Sequence, residues 1–112
     1  MIHDVATAPP ERFEFELTAN GYLRLSRADA QRCFPADTVL AMRQQDSLLL
    51  LATRGPAAGG LLLKQRNPLG DRSLLIADAL GHEVPVGHFA AEWDESVGGY
   101  RVDLSVDLAG HE

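Results

Sequence analysis

The densest polar stretch of the chain is Lys64-Gln65-Arg66-Asn67-Pro68-Leu69-Gly70-Asp71-Arg72, which contains the only lysine. Three cations around a tight turn, with Gln65 and Asn67 as further donors, suit an anionic surface, because guanidinium and ammonium groups make short charge-assisted hydrogen bonds to phosphate or carboxylate. Lys64, Arg66, Asn67 and Arg72 are therefore the candidate partner-binding residues, with Asp71 placed to neutralise Arg66. Other reactive side chains are sparse. Cys33 is the only cysteine, so no intrachain disulfide can form. A thiolate at this position would need a histidine that no spacing supplies, and Cys33 reads as a small buried hydrophobe. His82, Glu83 and His88 lie in GHEVPVGH. A metal site normally takes three or four ligands with a shell to orient them, so this segment reads as a solvated connection. The chain has no GxGxxG, GxxxxGK, GxSxG, HExxH or CxxC. Recognition without catalysis is the expectation, with no catalytic residue, no metal and no cofactor.

The polar turn needs strands to hold it. Leu61 to Arg66 and Asp71 to Asp78 flank Asn67-Pro68-Leu69-Gly70, with Pro second and Gly fourth as a type I turn prefers. That loop sets Arg66 opposite Asp71 and Leu63 opposite Leu74. Three more hairpins follow from alternation. Phe13, Phe15 and Leu17 alternate with Glu14 and Glu16, and Leu23 and Leu25 flank Arg24. A loop of Ala19-Asn20-Gly21 pairs Leu17 with Leu23 and Glu16 with Arg24, so one face is apolar and the other carries opposite charges. Thr38 to Arg43 and Leu48 to Thr53 form another hairpin around Gln44 to Ser47, and the run Leu48 to Leu51 suggests a strand covered on both faces. In the last hairpin Trp93 pairs with Tyr100 and Glu92 with Arg101, Phe89 lies beside the aromatic pair, and Tyr100 to Leu108 keep a period of two. Ser26 caps a helix of about two turns that Pro35 ends. Gly55 to Gly60 reads as a linker, and Ala79 to Gly87 as a long connection. No repeat of fixed period is evident.

With 112 residues, 46% apolar and 23% charged, one domain with its own core is expected, and a disordered tail or a multidomain enzyme is excluded. Strands without intervening helices exclude a doubly wound fold. The fold class is all-β: antiparallel hairpins forming a small barrel or sandwich, with one short helix. The net charge of −6 is uneven: residues 21–75 carry eight basic and four acidic groups, and residues 76–112 one basic and eight acidic. A basic middle could meet an acidic partner while the acidic end orients the contact. No apolar run approaches the roughly 20 residues needed to cross a bilayer. The first ten residues also lack the basic cluster and apolar core of a secretory signal. No membrane partner and a cytoplasmic location are the expectations.

Residues 13–53 resemble the AbrB and MraZ group of swapped-hairpin barrels. The match lies in Gly21 followed by Leu23 and Leu25, the short helix from Arg27 to Phe34, Asp37-Thr38-Val39 for that group's Gly-Asp-x-Val, and the hairpin ending in Leu48 to Leu51. Tyr22 stands where a basic residue is usual, and Ser26 where proline is. In that group two chains exchange hairpins to build one barrel, and basic residues near the first hairpin and helix grip DNA. The resemblance implies nucleic-acid contacts at Arg24, Arg27 and Arg32. Residues 61–108 add two further hairpins to the same single domain, residues 1–112.

Two functions follow as expectations. The first is a non-catalytic regulatory or assembly accessory module that binds another macromolecule, an acidic protein rather than DNA, because a duplex-binding face is normally dominated by Lys and Arg. The alternative is an AbrB-like DNA-binding regulator or antitoxin. A homodimer is expected in either case, since short hairpins leave open strand edges.

Overall fold

The computed structural model describes residues 10–53, 60–81 and 85–108. The glycine-rich linker from Gly55 to Gly59 and the pair His82 and Glu83 lie outside them. Nine strands form one antiparallel sheet: β1 (Arg12–Leu17), β2 (Tyr22–Leu25), β3 (Thr38–Gln44), β4 (Ser47–Ala52), β5 (Leu61–Leu62), β6 (Lys64–Gln65), β7 (Arg72–Leu75), β8 (Gly87–Asp94) and β9 (Gly99–Asp103). Helices α1 (Arg27–Cys33) and α2 (Ala77–Leu80) follow β2 and β7. The strand order is β5-β3-β4-β9-β8-β1-β2-β7-β6. Its two ends, β5 and β6, are separated in the chain only by Leu63. The sheet therefore bends round into a nearly closed barrel, in which β5 covers Thr38 and Val39 of β3 and β6 covers Arg72 and Ser73 of β7.

The registers of the first and last hairpins are those the charge and apolar patterns require: Glu16↔Arg24, Leu17↔Leu23, Glu92↔Arg101 and Trp93↔Tyr100. Ser26 accepts a hydrogen bond from the Asp29 amide as helix cap, and Phe34 ends α1 before Pro35. Four corrections concern local geometry. Gln45, at φ 56°, lets β3 and β4 close through Gln45 and Asp46 alone, with Gln44 paired to Ser47. The strand read as Leu61 to Arg66 is broken at Leu63: Leu61 and Leu62 pair with β3, Lys64 and Gln65 with β7. β7 stops at Leu75, and α2 occupies residues assigned to strand and connection. β9 ends at Asp103, where the carboxylate takes the Ser105 amide and hydroxyl, so Val106 and Leu108 are exposed instead of continuing the strand.

A repeat absent from the residue pattern is present in the pairing. Each half of the chain runs hairpin, helix, hairpin. The first half's β1 pairs with the second half's β8, and the second half's β5 pairs with the first half's β3. β2 pairs with β7 and β4 with β9, like with like across a pseudo-twofold axis. Registers agree residue for residue: Phe15↔Phe89 and Glu16↔His88 correspond to Leu61↔Val39 and Leu62↔Thr38. Each half thus lends its first hairpin to the other.

The exchange is locked by turn-to-helix contacts. Gly21, at φ 87°, presses against the first residue of α2, and its carbonyl accepts from the Ile76 amide at 2.9 Å. On the other side Gly70 sits against the side chain of Arg27, whose amide donates to Asp71 Oδ1 at 3.2 Å. Inside the barrel, Phe13, Phe34 and Tyr100 form an edge-to-face cluster with centroids 4.9 to 6.0 Å apart. Half-buried Trp93 meets Tyr100 edge-on at 5.2 Å, whereas Phe89 packs on Phe15 and not beside the tryptophan. Leu48 and Leu50 point into the core, and Leu49 on the other face is also buried, so this strand is covered on both sides.

Gly21 and Gly98 separate backbone strain from packing. A Cβ on Gly21 would lie 2.5 Å from Ala77 Cβ, whereas one on Gly98, at φ 67°, would meet nothing within 4 Å. Gly98→Ala should cost about 1 kcal/mol and Gly21→Ala at least about 2 kcal/mol more, measured by urea unfolding. Equal losses would mean that the hairpin turn does not bear on α2.

Candidate docking groove

The pseudo-twofold axis creates two related grooves, each between a first hairpin, the helix after it and the third strand of the opposite half. In one, Glu14, Glu16, Arg24, Asp29, Arg66 and His88 line a shallow recess of about 260 Å³ with Asp71 at its edge. In the other, Leu40, Leu61, Leu62 and Leu75 line a recess of about 590 Å³, with Lys64 and Asp78 on the rim. Corresponding positions differ in kind. Glu16 is matched by Leu62 through the pairings to His88 and Thr38, and Arg24 by Leu75 through β2 and β7. Leu40 is 38% exposed, Leu61 37%, Leu62 49% and Leu75 55%, and Met42, next along the same face of β3, is 48% exposed. Apolar side chains left this far in water lose the free energy their burial would supply. The charged twin shows that the fold does not require them there.

The polar turn is built differently from its sequence reading. Lys64 and Arg66 part company: Lys64 borders the apolar groove and Arg66 the charged one. Asn67 is spent on the turn, donating from Nδ2 to Asp71 Oδ2 and accepting the Asp71 amide, both at 3.1 Å. Those bonds, the Arg27 amide and the nearby Arg66 guanidinium hold the Asp71 carboxyl below the usual carboxylate range. Arg72 does not stand at a solvated tip. Its side chain is only 16% exposed, bonded to the Gly70 carbonyl and 3.5 Å from Asp37 Oδ1. It is a seam residue, because Asp37 also accepts the Leu63 amide at 2.8 Å. Its replacement would disturb barrel closure.

The three arginines carried over from the swapped-hairpin group also separate. Arg24 is half-buried in the charged groove, Arg27 lies exposed against Gly70, and Arg32 is exposed in the last turn of α1 without lining the groove. Arg24 and Arg27 thus meet the turn that holds Arg66, a convergence across more than 35 residues of chain that spacing did not disclose. Glu14, Glu16, Asp29 and Asp71 surround them.

The acidic end forms a third recess on the outer face of β8 and β9, lined by Arg12, Glu92, Trp93, Asp94, Arg101 and Asp103 among others. Its cations are engaged: Arg12 with Glu14 at 2.7 Å and Arg101 with Asp94 at 2.9 Å. His88 is exposed on β8, where its amide donates to Asp107. Cys33 is buried beside the Tyr100 hydroxyl, and burial pushes both the thiol and the phenol upward, which leaves Cys33 a protonated core residue at neutral pH. Tyr100 donates to the Pro10 carbonyl at 2.8 Å. No group of three metal-ligating side chains occurs among the described residues, and no helix among them is long and apolar enough to cross a membrane. No protein-family model matches this chain, and neither a curated protein nor a solved structure does.

Arg66 and Arg72 flank one turn and should behave in opposite ways. Arg72→Ala is expected to lower stability by about 1 to 2 kcal/mol through the lost seam contacts. Arg66→Ala should change it by about 0.5 kcal/mol or less, since an exposed pair at 4.0 Å contributes little. Chemical denaturation of the two variants checks this, and similar effects would remove Arg72 from the seam.

Proposed function

We propose that this chain is a non-catalytic binding module, an accessory protein of regulatory or assembly type, and that the leucine-lined groove is its docking face. The divergence of the twin grooves carries this reading. One fold position, present twice, is solvated and charged in one half and apolar in the other, and contiguous exposed apolar surface on a soluble protein marks an interaction site. Lys64 then belongs to the rim of that face, while Arg66, Asn67 and Arg72 serve the turn and the seam.

The second reading is a DNA-binding regulator of the swapped-hairpin kind. It is supported by the hairpin exchange between halves, which resembles within one chain the exchange expected between two chains of the AbrB and MraZ group, and by the convergence of Arg24 and Arg27 with Arg66. Charge weighs against it. Four carboxylates share that surface, Leu75 stands where the axis repeats Arg24, and α2, Ala77-Asp78-Ala79-Leu80, carries no base. A duplex presented to both halves would meet Arg24 and Arg66 in one groove and only Lys64, beside Asp78, in the other.

Site-specific photocrosslinking in native extract tests the choice. A photoreactive side chain replacing Leu75 should crosslink to protein, and one at the corresponding Arg24 should not; Leu62→Glu should abolish the Leu75 product while the chain keeps its folded circular-dichroism spectrum. Crosslinks to duplex DNA from position 24 that survive about 0.15 M salt, with none to protein from position 75, would instead establish the second reading.

A further inference from the structure

We infer that the occupant of the leucine-lined groove is a second copy of this chain, seated about a twofold axis that runs through the groove. The inference rests on the groove being a docking face and adds the identity of what docks.

Two observations single out a self-partner. The first is the placement of charge. Lys64 pairs with Ser73, Leu62 lies two residues before Lys64 across the bend and Leu75 two residues after Ser73, and Asp78 follows three residues later in the first turn of α2. One cation and one anion therefore lie at opposite ends of the Leu62 and Leu75 pair, along the direction of β7. Neither has an ion-pair partner among the described residues, although both line the same groove. A twofold rotation about the leucines brings Lys64 of each copy to Asp78 of the other, so the patch is complementary to itself. A partner with a uniformly acidic or basic surface would satisfy one end and oppose the other.

The second observation is area. From the exposures of Leu40, Met42, Leu61, Leu62 and Leu75, the patch offers about 400 Å² of apolar surface, within the size range of the largest patches on monomers, which are often functional. A standard interface covers ~800 Å² per partner, of which the leucines would form the apolar centre. A chain of net charge −6 repels its own copies at long range, so association needs an apolar contact of this kind. The charged twin cannot reproduce it. A twofold contact uses this face on both copies, so assembly closes at two instead of extending into a filament.

Sedimentation equilibrium of the purified full chain from about 1 to 100 μM tests this. The expected result is a species of twice the chain's 12.2 kDa. Lys64→Glu and Asp78→Lys should each weaken dimerisation at least tenfold, because each places like charges at both ends of the interface. Mixing the two variants should restore a dimer, since opposite charges then meet at both ends, and the double variant should dimerise alone. A monomer throughout the range overturns the inference, as does a dimer indifferent to both substitutions and to Leu62→Glu. If the chain is monomeric while position 75 still crosslinks to a different protein, the docking face stands and only its occupant changes. A monomer with no crosslink at position 75 removes both.

Discussion

Everything in this barrel depends on one short segment, Leu61 to Gln65, belonging to both ends of the sheet. Its first two residues hydrogen-bond to β3 and its last two to β7, with buried Leu63 as the pivot. Its counterpart β1 bridges β8 and β2 as one unbroken strand, whereas this segment divides the task between two short pieces on either side of Leu63. Asp37 holds the bend from both directions, its carbonyl accepting from Leu63 and its carboxylate facing Arg72. Closure gives every interior side chain a neighbour on each side, and the aromatic cluster of Phe13, Phe34 and Tyr100 fills the interior at native contact distances.

Closure also fixes where function can reside. With most strands paired on both sides, association falls mainly to side chains on the outer surface, and the pseudo-twofold axis offers each outer position twice. The two halves were free to differ there because the backbone needs only alternation, not particular outward residues. One groove presents carboxylates and arginines, the other leucines. Inside, the corresponding residues stay apolar while changing size, as Leu48 with Tyr100, Val39 with Phe89 and Leu50 with Val102.

The same facts explain what the sequence could disclose. The β1–β2 and β8–β9 registers were legible because apolar and charged faces independently select one pairing, and α1 was legible from Ser26 and Pro35. The bend at Leu63 was not, because it is dictated by two strands distant in the chain and not by any local breaker. Helix α2 has four residues and no side-chain cap at Ile76, so it leaves almost no local signal. The internal repeat was hidden because it lies in the hydrogen-bond register, while Glu16 corresponds to Leu62 and Arg24 to Leu75 across the axis. Among the candidate residues, Arg66 and Arg72 look alike in sequence, and only the path of the seam shows that one is solvated and the other structural. The leucine groove was missed for a related reason: Leu40, Leu61, Leu62 and Leu75 each read as ordinary strand residues until the fold turned them outward together.

The claim that the leucine groove is covered by a second copy is tested most directly by methyl NMR with a soluble paramagnetic agent, since Leu69, 75% exposed at the Asn67 turn, is an internal reference for an open leucine. On raising the protein from about 10 μM to about 1 mM, the account predicts that relaxation enhancement at the Leu62 and Leu75 methyls falls well below that at Leu69, which stays constant. Enhancements at Leu62 and Leu75 that follow Leu69 at every concentration would contradict it.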